Sequence, residues 1–337
     1  LPHLIKKTYA RVIKEEGKTP VKNYLMSKVM RNRKLFHFLL RQSYLLQQPL
    51  SKGRPMIRHL PSFLEKDHGF RSLPAIAKKP LRDQWPGVKQ DIANPEMKIA
   101  LFAGCAMDFI YPNHGTDLLK LMKNANIQMD FPMDQTCCGL PAMMAAEENT
   151  AREIALQNIN AFRSDTYDYI LTLCASCASH LKHNYEKIFR EAGLSQKGLK
   201  LFTQKIIDFS SFMDKIYPFP EKILDRDKKV AYHAPCHLCR GLHVTKQPRT
   251  LIKKAGFTYV PSKDEDVCCG FGGSYSIDFP EISSEILKKK LDSVQASGAD
   301  ILVTDCPGCV LQLSGGLDKR QSTIKVLHLV ELLANST

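Results

Sequence analysis

No apolar run in the 337-residue sequence approaches the roughly twenty residues that a bilayer-spanning helix needs, so a helical membrane span is not expected. The opening stretch, LPHLIKKTYARVIKEEG, lacks both a Met and the build of a secretion signal, and it reads as a helix entered part-way along a longer polypeptide. No glycine-rich fingerprint for a flavin or nicotinamide stands out, and nothing suggests a site for acyl, phosphoryl or glycosyl transfer. Charge imbalance is also missing from most of the chain. Beyond residue 95, Lys and Arg number 28 against 28 Asp and Glu, whereas residues 1–95 carry 20 against 6 and hold the entire net charge of +14.

What is present is a composition typical of a soluble globular protein, 44% hydrophobic and 24% charged, with length enough for two domains. A cytoplasmic location is expected. The basic segment could attract nucleic acid, anionic lipid or an acidic protein, or be a solvated helix face. Without a recognition motif beside the charge, nucleic acid is not expected as a partner. Peripheral membrane contact stays open. Residues 21–47 read as basic amphipathic helices with Leu25, Val29, Phe36, Leu39 and Leu40 among Lys and Arg, their apolar face packing on a neighbouring domain. Residues 48–95, rich in Pro and Gly, read as an extended linker.

Eleven cysteines, an odd number without a secretion signal, argue against a disulfide framework and for metal or redox chemistry. Ten fall into a repeat: Cys105, Cys137, Cys138, Cys174 and Cys177, then Cys236, Cys268, Cys269, Cys306 and Cys309, with matching members offset by 131, 131, 131, 132 and 132 residues. Only Cys239 is left over, as a spare ligand or a small buried residue.

Each copy carries the same punctuation. A short apolar run, 98–104 or 229–235, reads as a buried strand before the first Cys, and a second strand, 169–173 or 300–304, delivers the CxxC pair at its end. Amphipathic helices lie between. The helix over 280–296 opens on Pro280 and Glu281, puts Ile282, Ile286, Leu287, Leu291 and Val294 on one face, leaves Lys288, Lys289 and Lys290 toward solvent and stops at Gly298. The expected fold is therefore α/β: two tandem, pseudo-symmetric units with mainly parallel sheets, covering 96–226 and 227–337, behind a helical and extended segment over 1–95. The cysteines would converge at strand carboxyl ends, in two separate pockets of five sulfurs.

Three chemistries compete for those sulfurs. A structural zinc takes four ligands, so five cysteines with two adjacent would waste one. A thiol–disulfide couple needs only one CxxC and leaves the Cys-Cys pairs unexplained. An iron–sulfur cluster spreads several irons over some ångströms and can accept thiolates from a Cys-Cys turn, a CxxC turn and a lone strand-end Cys. Gly139, Gly270 and the 271–273 FGG turn suit either a close backbone approach to a cluster or an ordinary sharp turn. His233 and His237 flank Cys236, as packing groups or as hydrogen-bond partners of a cluster sulfur.

The stretches LFAGCAMDFIYPNHG, FPMDQTCCGLPA, YHAPCHLCRGLHV and VCCGFGGSYSIDFPEIS resemble the CCG cysteine-rich domain family, to which the cysteine-rich subunit of heterodisulfide reductase belongs. That family includes iron–sulfur subunits of glycolate oxidase, of anaerobic glycerol-3-phosphate dehydrogenase and, most similar, the first subunit of L-lactate utilisation systems. The resemblance covers about 95–337. Residues 1–17 and 71–87 resemble the stretch after the last ferredoxin-type Cys-Pro, and the tail, of the second lactate-utilisation subunit, as in a fusion. It implies two [4Fe-4S] clusters of a non-cubane kind, with the first quintet ligating one and the second quintet the other. It also implies an electron-transfer role in oxidation of lactate or another 2-hydroxy acid, beside an upstream ferredoxin-type domain or sister subunits and a flavoprotein or other redox partner. The alternative is a heterodisulfide reductase-type component whose clusters reduce a disulfide.

Overall fold

The computed structural model describes Glu15 and residues 27–52, 54–59, 69–162, 165–191, 198–221 and 226–336. Residues 1–17 apart from Glu15, and Leu25, lie outside these, and so do the expectations that rest on the opening stretch.

Strands β1 (Met56–Ile57) and β2 (Leu73–Pro74) form a small antiparallel bridge. Strands β3 (Met97–Leu101), β4 (Ile127–Asp130), β5 (Tyr169–Thr172) and β6 (Ile206–Asp208) form a parallel sheet in the order β4-β3-β5-β6. Strands β7 (Arg226–Tyr232), β8 (Phe257–Tyr259), β9 (Ile301–Thr304) and β10 (Lys325–His328) form a second, in the order β8-β7-β9-β10. The two sheets share topology and register. Ile99 pairs with Tyr169 where Val230 pairs with Ile301, and Phe102 N–H donates to the Leu171 carbonyl where His233 N–H donates to that of Val303, both at 2.8 Å.

The sequence dictates this directly. Ile99, Ala100 and Leu101, and all four residues of β9, are buried, as central parallel strands covered on both faces require. In each sheet the chain leaves the first strand outward, then crosses back to its other side. The connections before β4 and β5 therefore diverge from β3, opening a crevice at the carboxyl ends of the strands.

Two apolar cores run across the boundary between the units. One joins Phe102, Ile154, Phe162 and Tyr185 to Leu287, Leu291 and Leu313; the other joins Ile99, Leu118 and Phe212 to Val230, Tyr232 and Leu329. Ala175 N–H donates to the Asp305 carbonyl at 3.1 Å and His328 Nε2 donates to that of Leu173 at 2.7 Å, so the units are also joined by polar contacts at their cysteine ends.

Two expectations are corrected. The described residues of the segment read as an extended linker pack against the two units. Its first part is still helix (Arg33–Ser51, capped by Asn32), and a later helix, Leu81–Val88, packs on the first unit through Leu81, Trp85 and the buried Arg82–Asp108 ion pair at 2.6 Å. Between them, residues 54–59 and 69–74 form a strap on the second unit. Arg58 forms a two-nitrogen pair with Asp318, Ser72 N–H donates to the Gly315 carbonyl at 3.0 Å, and a Cβ on Gly315 would lie 2.1 Å from the Ser72 oxygen. The prolines here do not even mark irregular chain: Pro49 and Pro86 lie inside the two helices and Pro74 in β2.

The second correction concerns the helix Pro280–Ala296. Ile282 is 52% exposed, while Lys290 is 1% exposed. Ser283, Leu287, Lys290, Leu291 and Val294 form the buried face, and the Lys290 ammonium donates to the Asp264 carbonyl. Lys290 is seven residues beyond Ser283 and three beyond Leu287, on one helical face. Reading three consecutive lysines as solvated charge overlooked that periodicity.

Candidate functional site

The site is assembled by loops and helix starts that follow the strands. Cys105 sits at the start of the helix Gly104–Phe109 after β3, Cys137 and Cys138 follow β4, and Cys174 caps the helix Ala175–Ser179 after β5. The second unit repeats this: Cys236 after β7, Cys268 and Cys269 after β8, and Cys306 capping the helix Pro307–Lys319 after β9. All eleven cysteines are free; Cys105, Cys236, Cys239 and Cys268 are half-buried and the rest buried.

The ten repeated cysteines come together, but not as two separate pockets. Cys105 and Cys137 lie 3.9 Å apart, Cys137 contacts Cys138, Cys138 contacts Cys177 and Cys177 contacts Cys174. In the second unit Cys236 contacts Cys268, Cys268 contacts Cys269, Cys269 lies 3.6 Å from Cys309, and Cys309 contacts Cys306. The two quintets then meet: Cys174 contacts Cys306, and the Ser176 hydroxyl lies 3.2 Å from Cys174 Sγ and 3.5 Å from Cys306 Sγ. The result is a continuous file of ten sulfurs running through the seam between the units.

Sulfurs this close share their protons. Hydrogen bonds from neighbouring thiols hold Cys138, Cys268 and Cys306 below the ordinary thiol range. The same bonds, and then burial, push Cys105, Cys177, Cys236 and Cys309 up. In a low-dielectric interior, ten thiolates require metal charge to neutralise them. A group of several irons has that charge and the spread to engage five sulfurs per unit, so the donor set fits an iron–sulfur cluster. Among the described residues, His233, Cys269 and Cys309 form a compact group that could hold a single ion, with donor atoms all within 4.8 Å of one another.

The surroundings differ between the units. The His233 imidazole is 1% exposed, and neither ring nitrogen has a protein partner. Burial, then the Lys290 charge, pushes His233 down to about 3, so it is neutral. Phe102 holds the matching place in the first unit, stacked on Phe162 with ring centroids 5.4 Å apart. Asp305 accepts from Tyr232 Oη at 2.7 Å and from Ser210 Oγ at 2.8 Å, which fixes the turn into Cys306, and burial raises it to about 7. Leu173 holds the matching position before Cys174.

The glycines have their own reasons. Gly139 and Gly270 have φ of +88° and +84°, and a Cβ on Gly270 would lie 2.8 Å from the Ser283 carbonyl, so they serve a left-handed turn closed against the next helix. Gly104 faces sulfur: a Cβ there would lie 3.4 Å from Cys177 Sγ. Cys239 is not in the file; its Sγ lies 4.0 Å from the Cys236 carbonyl. By the 131-residue offset it occupies the place of Asp108. His237 Nδ1 lies 3.7 Å from Cys236 Sγ.

Sequence reasoning missed Arg71, Ser176, Asp305 and Lys290. Arg71, 6% exposed, reaches the second unit from the strap, with its guanidinium over the Phe271 ring and one nitrogen 3.0 Å from Ser276 Oγ. No pattern in the sequence marks it. Ser176 was within reach, lying inside the first CxxC.

The family described as "Cysteine-rich domain" (CCG) matches residues 99–182 and 230–314, one match per sheet. The chain is 30% identical to "Lactate utilization protein A" of Halalkalibacterium halodurans, over 70% of this chain and 96% of that protein. It is 30% identical to the "Probable glycolate oxidase iron-sulfur subunit" of Bacillus subtilis, over 82% of this chain and 63% of that protein. It is 31% identical to the B-type subunit of "Fumarate reductase (CoM/CoB)" of Methanothermobacter marburgensis, over 71% of this chain and 46% of that protein. Among the described residues no helix is long and apolar enough to cross a membrane.

Proposed function

The chain belongs to the CCG cysteine-rich domain family, and from that premise we propose that it is an iron–sulfur electron-transfer component of an oxidoreductase that oxidises lactate or a similar 2-hydroxy acid. The observation that carries this is the file of ten closely spaced cysteine sulfurs, five from each unit. In this reading Cys105, Cys137, Cys138, Cys174 and Cys177 hold one [4Fe-4S] cluster, and Cys236, Cys268, Cys269, Cys306 and Cys309 hold a second. A bound cluster supplies reversible one-electron storage.

The chain's own residues do the rest. The buried strand ends fix the cysteines, Asp305 and Ser176 orient the seam between the quintets, and the apolar core of Phe102, Tyr185, Leu287 and Leu313 excludes water from it. Cys105 at one end of the file and Cys236 and Cys268 at the other are half-buried, and a redox partner could approach there. The basic segment 1–95 is assigned to docking an upstream ferredoxin-type domain or sister subunit, and a flavoprotein would deliver electrons from the substrate. The relatives' names, lactate utilization and glycolate oxidase, support the substrate class.

The test is metal and sulfide analysis of anaerobically purified protein. About eight irons with matching acid-labile sulfide per chain are expected for two four-iron clusters; zinc without iron would end the reading. The assembled complex should reduce an acceptor with lactate in preference to glycolate or glycerol 3-phosphate. A second reading, disulfide reduction, is favoured by the resemblance to the CoM/CoB fumarate reductase component and by the half-buried Cys236 and Cys268. Turnover of a disulfide by the reduced chain alone, without lactate-linked activity, would establish it instead.

A further inference from the structure

We propose that the two cysteine quintets are built to be electronically unequal, with the His233 imidazole donating an N–H to sulfur at the second site and raising its reduction potential above that of the first. The inference rests on the iron–sulfur reading but goes beyond it. It starts from two places that the repeat makes equivalent. Phe102 and His233 follow matching strands and make the same 2.8 Å backbone bond to the neighbouring strand. In the first unit the Phe102 ring reaches the pocket beside Gly104, where the ring and Cys177 Sγ both lie in contact range of a Cβ placed on that glycine. In the second the side chain at that place is an imidazole whose nitrogen lies within 4.8 Å of Cys269 and Cys309 Sγ, buried and without a protein partner.

A buried polar nitrogen without a partner is costly, and the groups in reach are sulfurs. Imidazole carries at least one N–H in either of its ordinary protonation states, so it can donate without any change of charge. Hydrogen bonds to cluster sulfur and nearby positive charge both favour the more negative, reduced state.

A second difference points the same way. Lys290 is buried on the helix that closes against Gly270 and acts electrostatically on Cys269 and Cys268. Arg71 acts on Cys269 from the strap. The residue matching Lys290 in the first unit is Asn158, whose amide is committed to the Cys137 carbonyl at 2.8 Å and to Tyr185 Oη at 3.1 Å. In the matching places the second site thus has a histidine and a lysine where the first has a phenylalanine and a neutral amide, with Arg71 added from the strap; Asp305, in the place of Leu173, is the one carboxyl group among these differences that opposes them.

The experiment is an anaerobic redox titration of the full chain followed by electron paramagnetic resonance, with iron and sulfide measured on every sample. Two separated potentials are expected. H233F should lower the higher one by at least a tenfold change in the oxidised-to-reduced ratio, about 59 mV for a one-electron couple, and leave the lower one in place. H233Q, which keeps an N–H donor, should retain most of the gap, and F102H should raise the lower potential. An exchangeable-proton coupling at the second site should vanish in H233F. If H233F sheds iron, H233Q and F102H still decide the matter. Iron-loaded protein with a single shared potential, or variants that move neither potential, would overturn the inequality while leaving the iron–sulfur reading intact; strong nitrogen coupling from direct iron ligation would overturn the hydrogen bond. A chain that holds zinc and no iron would end both.

Discussion

The two units share strand order, register and cysteine placement, yet differ in what surrounds the sulfurs. Where the first unit has Phe102, Asp108, Asn158 and Leu173, the second has His233, Cys239, Lys290 and Asp305. The backbone repeats and the chemistry does not. Parallel strands and left-handed turns restrict the main chain severely, so duplicated copies keep them. Side chains one layer out from the sulfurs are free to diverge: opposite Phe102, Asn158 and Leu173 stand polar or charged groups, and opposite the Asp108 carboxylate stands a thiol.

The largest effect expected is on metal content. Cys137→Ser with Cys138→Ser should remove the iron of the first site, about half the total, and Cys268→Ser with Cys269→Ser that of the second, in iron and sulfide assays. Equal loss of all iron in either double variant would show that the quintets assemble only together. Next is Asp108→Ala. It strands the buried Arg82, whose guanidinium lies 2.6 Å from the carboxylate, and breaking such a pair should cost about 3–5 kcal/mol in urea unfolding.

The third contrast concerns the helices that follow the edge strands, capped by Asp208 after β6 and by His328 after β10. His328 accepts from Val330 N–H through Nδ1 and is fully buried. Burial, then the neighbouring His114, pushes it down to about 3. The unfolded chain takes up the proton near the ordinary value of 6.5 while the folded chain resists it. Stability from this residue is therefore complete above about pH 6.5 and is lost as pH falls toward 3, by as much as ~4 kcal/mol. His328→Asn should flatten that limb of a pH–stability curve. The smallest effect is expected for Cys239→Ala. It stands in Asp108's place without an ion pair, and should change stability by no more than about 1 kcal/mol and leave iron content unaltered.

Much of this was legible in the sequence. The 131-residue period fixed which cysteines belong together, and apolar runs before Cys105 and Cys236 located the central strands. Aligning the halves also sets Phe102 against His233. What could not be read was how the halves meet. The contact of Cys174 with Cys306 depends on the docking of two folded sheets, and no local pattern encodes it. Lys290 was misplaced because its charge outweighed its position on the helix. Arg71 was missed because it lies 198 residues from Cys269 and no local pattern ties the two together.

The strap between the two N-terminal helices has a practical side. It begins and ends against the first half of the molecule, yet its anchors, Arg58 and Ser72 on Asp318 and Arg71 on Ser276, are fastened to the last third of the chain. Trimming the protein back to residue 96 would look harmless on a sequence map, since every repeated cysteine survives. The damage would surface at the far end, where a guanidinium beside Cys269 and a covering over Gly315 would both be gone.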